Sequence, residues 1–104
     1  MSKKILQINF KIKVPRADYE KATFDQFAKP IAGVKGLLWK VWIVNEEKKE
    51  AGGIYLFKDE SSLKAYLEGS IVAEVMKHPA LSDIDAKVFD VMDKHSKVTH
   101  GPIG

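Results

Sequence analysis

The chain has no cysteine, so disulfides and thiolate chemistry are excluded. That absence is compatible with a reducing cytoplasm. Arginine is almost as scarce: Arg16 is the only one, and every other basic residue is a lysine spread along the chain. Nucleic-acid sites cluster their basic residues and favour the planar arginine fork, so dispersed lysine argues for an ordinary solvated surface. No apolar run approaches the ~18 residues needed to cross a bilayer. The N-terminal stretch Met1-Ser2-Lys3-Lys4 leads straight into a strand-like run and lacks the apolar core of a signal peptide. The expectation is a cytoplasmic protein without membrane contact.

Histidine is scarce too. His78, His95 and His100 show no i, i+4 helical spacing, and without cysteine the ligand supply for a metal centre is thin. Gly52-Gly53 is the only glycine pair, and it enters a strand, whereas phosphate cradles lead into helices. No dinucleotide fingerprint or nucleophile constellation is visible. The sequence therefore predicts no metal and no cofactor.

What remains is the composition of one globular domain spanning 1–104, with a core at about 4–93 and a tail at 94–104. It is 45% hydrophobic and 30% charged, with a net charge of +3. A chain of this length buries roughly two thirds of its unfolded surface. A mild positive charge can attract a small anion.

Gly36 to Phe57 organises the chain. Two runs rich in β-branched and aromatic residues flank the charged Glu46-Glu47-Lys48-Lys49-Glu50 turn, which is a hairpin pattern. Trp39 and Trp42 are three apart, so a regular strand sends them to opposite faces. The first strand lacks the clean alternation of a sheet with one wet side. Both faces are therefore expected to be covered, one by helices and the other by a second copy of the chain.

Around this hairpin, Lys4 to Lys13 alternates, with Leu6, Ile8, Phe10 and Ile12 on one side. Phe24, Phe27, Ala28 and Ile31 mark a helix over about 18–32, with Asp18 as cap, Gly33 as stop and Pro30 kinking or ending it near Lys29. Gly52 and Gly53 suggest a bulge or a close approach by another backbone. Asp59 caps a helix carrying Leu63, Tyr66 and Leu67, which Gly69 breaks. Ser70 is expected to cap a further short helix with Val72, Val75 and Met76, stopped at His78-Pro79. Asp83 to Met92 is the last strand. The tail has no period and is expected to be frayed or pinned to a partner.

The order β-α-β-β-α-β is the ferredoxin-like, α+β arrangement. Right-handed crossovers place the four antiparallel strands in the order 4-1-3-2, with the helices on one face.

Four segments carry a family resemblance. They are Gly36-Leu37-Leu38-Trp39-Lys40-Val41-Trp42, Glu50-Ala51-Gly52-Gly53-Ile54-Tyr55-Leu56-Phe57, Ala65-Tyr66-Leu67 and Ala86-Lys87-Val88-Phe89-Asp90-Val91. Together they resemble the YdhR-like mono-oxygenases, over about Leu6 to Val91. The resemblance implies a dimeric α+β barrel in which two ferredoxin-like sheets pack face to face. It also implies kinship with small oxygenases that oxidise phenolic or polyketide substrates without metal or flavin.

A polar and aromatic set fits such chemistry. Asn9, Lys40, Trp42, Tyr55 and Tyr66 can surround one pocket, with Trp39 as a further aromatic candidate. A cofactor-free oxygenase needs an apolar cavity, an aromatic wall and groups that favour the substrate phenolate. Lys40, or alternatively Lys87, supplies positive charge, Tyr55 and Asn9 supply hydrogen bonds, and Trp42, Tyr66 and Trp39 contact substrate. The bland alternatives are tryptophans in core or interface, Tyr66 in the core, a snorkelling Lys40, and Asn9 satisfying the backbone.

The leading expectation is a homodimeric, cofactor-independent mono-oxygenase acting on a small aromatic or quinol-like molecule. A non-catalytic ligand-binding or stress-related protein on the same scaffold is the alternative. An RNA module, sharing this topology and using Phe10, Tyr55 and Phe57, is the third.

Overall fold

The computed structural model describes residues 2–104. Its order is β1 (Lys4–Ile12), α1 (Arg16–Thr23), a π-helical turn (Phe24–Ala28), α2 (Lys29–Ala32), β2 (Leu37–Asn45) and β3 (Glu50–Phe57). Then follow α3 (Glu60–Leu67), α4 (Ser70–Lys77), β4 (Leu81–Asp90) and α5 (Asp93–Val98). The four strands form one antiparallel sheet in the order β2-β3-β1-β4, which is the expected 4-1-3-2 read from the other edge.

Alternation along β1 places Leu6, Ile8, Phe10 and Ile12 beneath the helices, all buried. Ala51, Tyr55 and Phe57 of β3 join them. Tyr19, Phe27 and Ile31 from the first helical arm and Leu63 and Tyr66 from α3 close this core from above. Asp59 caps α3 as its sequence suggests, accepting a 2.8 Å hydrogen bond from the Ser62 backbone N–H. Hydrogen bonding by the Ser62 side chain, and then by its backbone, holds the Asp59 carboxyl below the usual carboxylate range.

Four expectations change. Of the kink or stop expected near Lys29, the stop does not occur, because the helical arm runs on to Ala32. The chain passes through one π turn, in which the Lys29 N–H donates to the Phe24 carbonyl five residues back. The helix then restarts with Pro30 in its first turn, where no N–H is needed. The buried stripe is Tyr19, Thr23, Phe27 and Ile31, spaced by four. A strict four-residue repeat overruns the 3.6 residues of an α-turn, and the wider π turn absorbs the excess. Phe24 is consequently turned outward at 61% exposure. At the arm's start, Pro15 occupies the cap position and Asp18 lies in the first turn.

Second, of the two readings of Gly52-Gly53 the close backbone approach holds, since a Cβ at Gly52 would lie 1.9 Å from the Ile8 carbonyl oxygen, while the bulge does not, since the pairing with both neighbours runs without a shift. The irregularities lie at Leu37/Trp39 on β2 and at Asn9/Lys11 against β4. Third, the last strand begins earlier than expected, at Leu81, because Asp83 takes a left-handed backbone (φ 53°) and carries the chain across that irregularity.

Fourth, the tail is not frayed. It forms α5 and returns to its own sheet. The Trp39 indole N–H donates to the Pro102 carbonyl at 2.8 Å, and Ile103 is buried. Leu56, on the sheet face away from the helices, is only 1% exposed. The rest of that face stays open around Val41 and Phe89, at 52% and 47% exposure.

Candidate functional site

The irregularity at Leu37/Trp39 decides what the hairpin presents to the helices. Beyond it, Lys40 pairs with Tyr55, Trp42 with Gly53, and Val44 with Ala51. Lys40, Trp42 and Tyr55 therefore share the helix-side face. Trp39, Val41 and Ile43 take the other. The two tryptophans point apart, as their spacing requires.

On the helix side these residues border a cavity of about 60 Å³. Tyr66 reaches it from α3, Tyr19 and Thr23 from α1, and Met76 from α4. Ile8, Phe10 and Ala86 belong to its sheet-side lining. The Tyr55 and Tyr66 hydroxyls are 2.8 Å apart and hydrogen-bonded. Their rings are 5.1 Å apart, and Phe57 packs against both at 6.0 and 5.6 Å. Burial raises both phenols, and Tyr55 is raised further by its neighbour. Tyr19 is pushed up to about 12 by the same desolvation. These tyrosines are thus neutral hydrogen-bonding groups at ordinary pH.

Lys40 is the one basic group on this cavity, and no Asp or Glu lines it. Its Nζ sits 3.4 Å from the Trp42 ring centroid and 4.4 Å from that of Tyr55. Desolvation lowers its pKa to about 7. The amine is therefore a base poised near neutrality. Gly53 makes the placement possible: a Cβ there would lie 2.3 Å from Lys40 Cε. Gly52 serves a different need, since its Cβ would lie 1.9 Å from the Ile8 carbonyl oxygen.

A groove of about 270 Å³ adjoins the cavity and shares Tyr19, Thr23 and Trp42 with it. Arg16 and Glu20 lie along its outer part, joined by an ion pair at 3.3 Å. Trp42, partly exposed, stands between groove and cavity.

Of the residues expected at a site, the structure gathers Lys40, Tyr55, Trp42 and Tyr66. It does not gather Asn9 or Trp39. Asn9 alternates with Ile8 and Phe10, so it occupies the opposite sheet face, between Gly52 and Asp85. Trp39 is on that face too, engaged with the tail. Sequence reasoning missed Tyr19 and Thr23, whose signal was the four-residue repeat running to Ile31, and the role of Gly53. Thr23 donates at 2.7 Å to the Tyr19 carbonyl, which leaves its methyl for the cavity.

Two other site classes find little footing. Phe10, Tyr55 and Phe57 lie buried under the helices, where no base can stack on them. Among the described residues, no three His, Cys, Asp or Glu side chains are grouped to hold a metal ion. No described helix is long and apolar enough to cross a membrane.

The architecture is that of a ferredoxin-like α+β domain with an aromatic and lysine cavity between sheet and helices. The chain belongs to the YdhR family: the family model described as "Putative mono-oxygenase ydhR" matches residues 5–102. No curated protein matches it. Among solved structures it is similar to SnoaB, a cofactor-independent oxygenase from Streptomyces nogalater, at 14% identity and TM-score 0.70, covering 88% of this chain and 94% of that one. A putative antibiotic biosynthesis monooxygenase from Caulobacter crescentus CB15 is 18% identical at TM-score 0.69, covering 88% and 91%. NE2512, a protein of unknown function from Nitrosomonas europaea, is 20% identical at TM-score 0.65, covering 88% and 91%. At these identities the likeness is one of fold.

Proposed function

We propose that the chain is a cofactor-independent mono-oxygenase for a small, electron-rich phenol or quinol. The observation that carries this reading is Lys40, a carboxylate-free amine with a pKa near 7 held among aromatic rings in an apolar cavity. Family membership and the likeness to an oxygenase fold support it.

The neutral amine takes the phenol proton, and the resulting ammonium stabilises the phenolate beside it. A phenolate is a far better one-electron donor than its phenol, so electron transfer to O₂ follows. Recombination at a ring carbon and loss of water complete the balance: phenol and O₂ give quinone and water. One oxygen atom enters the ring. The other leaves with the two hydrogens lost from substrate. Tyr55 and Tyr66 orient the phenolic oxygen through their hydroxyl pair, and Trp42 forms the wall against the ring.

The open sheet face suggests the assembly. Val41, Ile54, Ile5 and Phe89 lie together across the strands, facing away from the helices. A second copy covering this face gives a homodimeric barrel. The cysteine-free composition fits a cytoplasmic setting.

Oxygen uptake with a panel of hydroquinones, naphthols and anthrones tests the chemistry. At least one should be consumed with one O₂ per molecule, and Lys40→Met should abolish the reaction. Tight binding of such phenols with no uptake by any would establish the ligand-binding alternative instead.

A further inference from the structure

Lys40 differs from the other lysines in what surrounds its nitrogen. Lys4, Lys29 and Lys87 each meet a carboxylate, from Asp90, Asp25 and Asp85 respectively. Lys40 meets rings. Its stem crosses the space left by Gly53, which directs the nitrogen toward Trp42 and Tyr55. The cavity beside it shares Trp42, Tyr19 and Thr23 with an adjoining open groove. That combination presents an amine to a planar ligand.

We propose that Lys40 is a carbonyl-capturing residue, condensing with small aromatic aldehydes or ketones seated against Trp42 to form an imine. The inner cavity is about 60 Å³, so it admits the carbonyl end, while the ring occupies the adjoining groove of about 270 Å³. The amine lone pair attacks the carbonyl carbon and a C–N bond forms. The oxygen takes one proton from nitrogen, then leaves as water with the second. The C=N bond replaces the C=O bond, with no change of oxidation state overall.

Two physical conditions favour the reaction here. With its pKa lowered to about 7, Lys40 is half neutral at neutral pH, and only the neutral amine attacks. The apolar walls keep water from the product, which slows hydrolysis. The proposal uses the same lysine as the oxygenase reading and needs none of its oxygen chemistry, so the two stand or fall separately.

The test uses the whole chain at pH 7 with benzaldehyde as probe and cyanoborohydride to reduce any imine to a stable amine. Intact mass and peptide mapping then locate the benzyl group. An unshifted lysine is neutral in only about one molecule in 2,500 at pH 7, so Lys40 should be labelled at least ~10-fold faster than the average of the other lysines. The preference should vanish in urea. It should be lost in Lys40→Arg, with circular dichroism confirming the fold, and persist in Asn9→Ala. Labelling spread evenly over the lysines of the folded protein, or unchanged in Lys40→Arg, overturns the proposal. Oxygen uptake by a protein whose Lys40 stays unlabelled also overturns it, and leaves the oxygenase reading standing. Labelled Lys40 without oxygen uptake supports it alone.

Discussion

The Lys40 ammonium nitrogen lies 3.4 Å from the centre of the Trp42 ring, with the Tyr55 ring 4.4 Å away on the same sheet face. A desolvated cation over an aromatic ring gains about 2 kcal/mol. Removal from water costs more than that here, which is why the pKa falls to about 7. The site thus holds an amine that changes charge where enzymes work.

The energetic consequence is a pH dependence of stability. Between its folded pKa near 7 and its unfolded value near 10.5, the unfolded chain binds the Lys40 proton and the folded chain does not. Stability from this group therefore rises with pH across that window and is flat below it. Tyr19, Tyr55 and Tyr66 act oppositely: with raised folded values, they cost stability once the unfolded phenols ionise above about pH 10. Denaturation across pH should show a maximum at about pH 9–10. Lys40→Met should stabilise the protein at pH 7 by about 1–3 kcal/mol and flatten the rise. It should lower turnover at least ~100-fold. An unaltered rise in the variant would show that another group carries it.

Gly52 and Gly53 should respond to alanine in different ways. At Gly52 the added Cβ meets the Ile8 backbone oxygen at 1.9 Å, and a central strand cannot yield. Gly52→Ala should cost about 3 kcal/mol or more. At Gly53 the clash is with Lys40 Cε, near the free end of a flexible side chain. Gly53→Ala should keep the fold to within ~1 kcal/mol while displacing the amine. Chemical denaturation reads the first effect, and turnover with benzaldehyde labelling reads the second. Equal destabilisation by both variants would remove Gly53 from the site.

The fold was legible because each segment repeats its pattern clearly. Leu6, Ile8, Phe10 and Ile12 give a strand face directly. Asp59 before Ser62 gives a cap. The first helical arm was harder: Phe24 mimics a member of an α-helical stripe, and only a π turn before Pro30 turns it out. The site was half legible. Trp39 and Trp42 had to diverge by parity and Lys40 and Trp42 had to share a face, but whether that face met the helices depended on an irregularity at Leu38 that no local residue announces. Asn9 follows the parity of β1 away from the cavity, and that alternation was visible in the sequence. The tail's return to Trp39 is a contact across most of the chain, beyond the reach of any local pattern.

The Tyr55–Tyr66 hydroxyl pair should act as one unit. Each hydroxyl has the other as its buried partner at 2.8 Å. Removing one leaves its neighbour unpaired, which costs about 1–3 kcal/mol. Removing both leaves two rings packed without an orphan. Tyr55→Phe and Tyr66→Phe should each destabilise, and the double variant should cost less than their sum by about 1 kcal/mol. Denaturation of the four proteins gives the coupling directly. Strict additivity would mean that water already serves both hydroxyls.

The open sheet face makes the last prediction. Val41 and Phe89 leave about half of their surface in water, although Leu56 on the same face is buried and its register partner Trp39 binds the tail. An apolar sheet surface of this kind is rare on a stable monomer. Light scattering at micromolar concentration should give about twice the 11.7 kDa chain mass. Val41→Asp places a charge on that face, midway along its edge strand β2, without touching the cavity, which lies beneath the other. A buried unpaired charge opposite an apolar partner costs several kcal/mol, so this variant should run as a monomer. Its Lys40 should still accept benzaldehyde, since the cavity is built within one chain. A wild-type chain that scatters as a monomer at all concentrations would refute the barrel assembly. A dimer that survives Val41→Asp would move the interface to another surface.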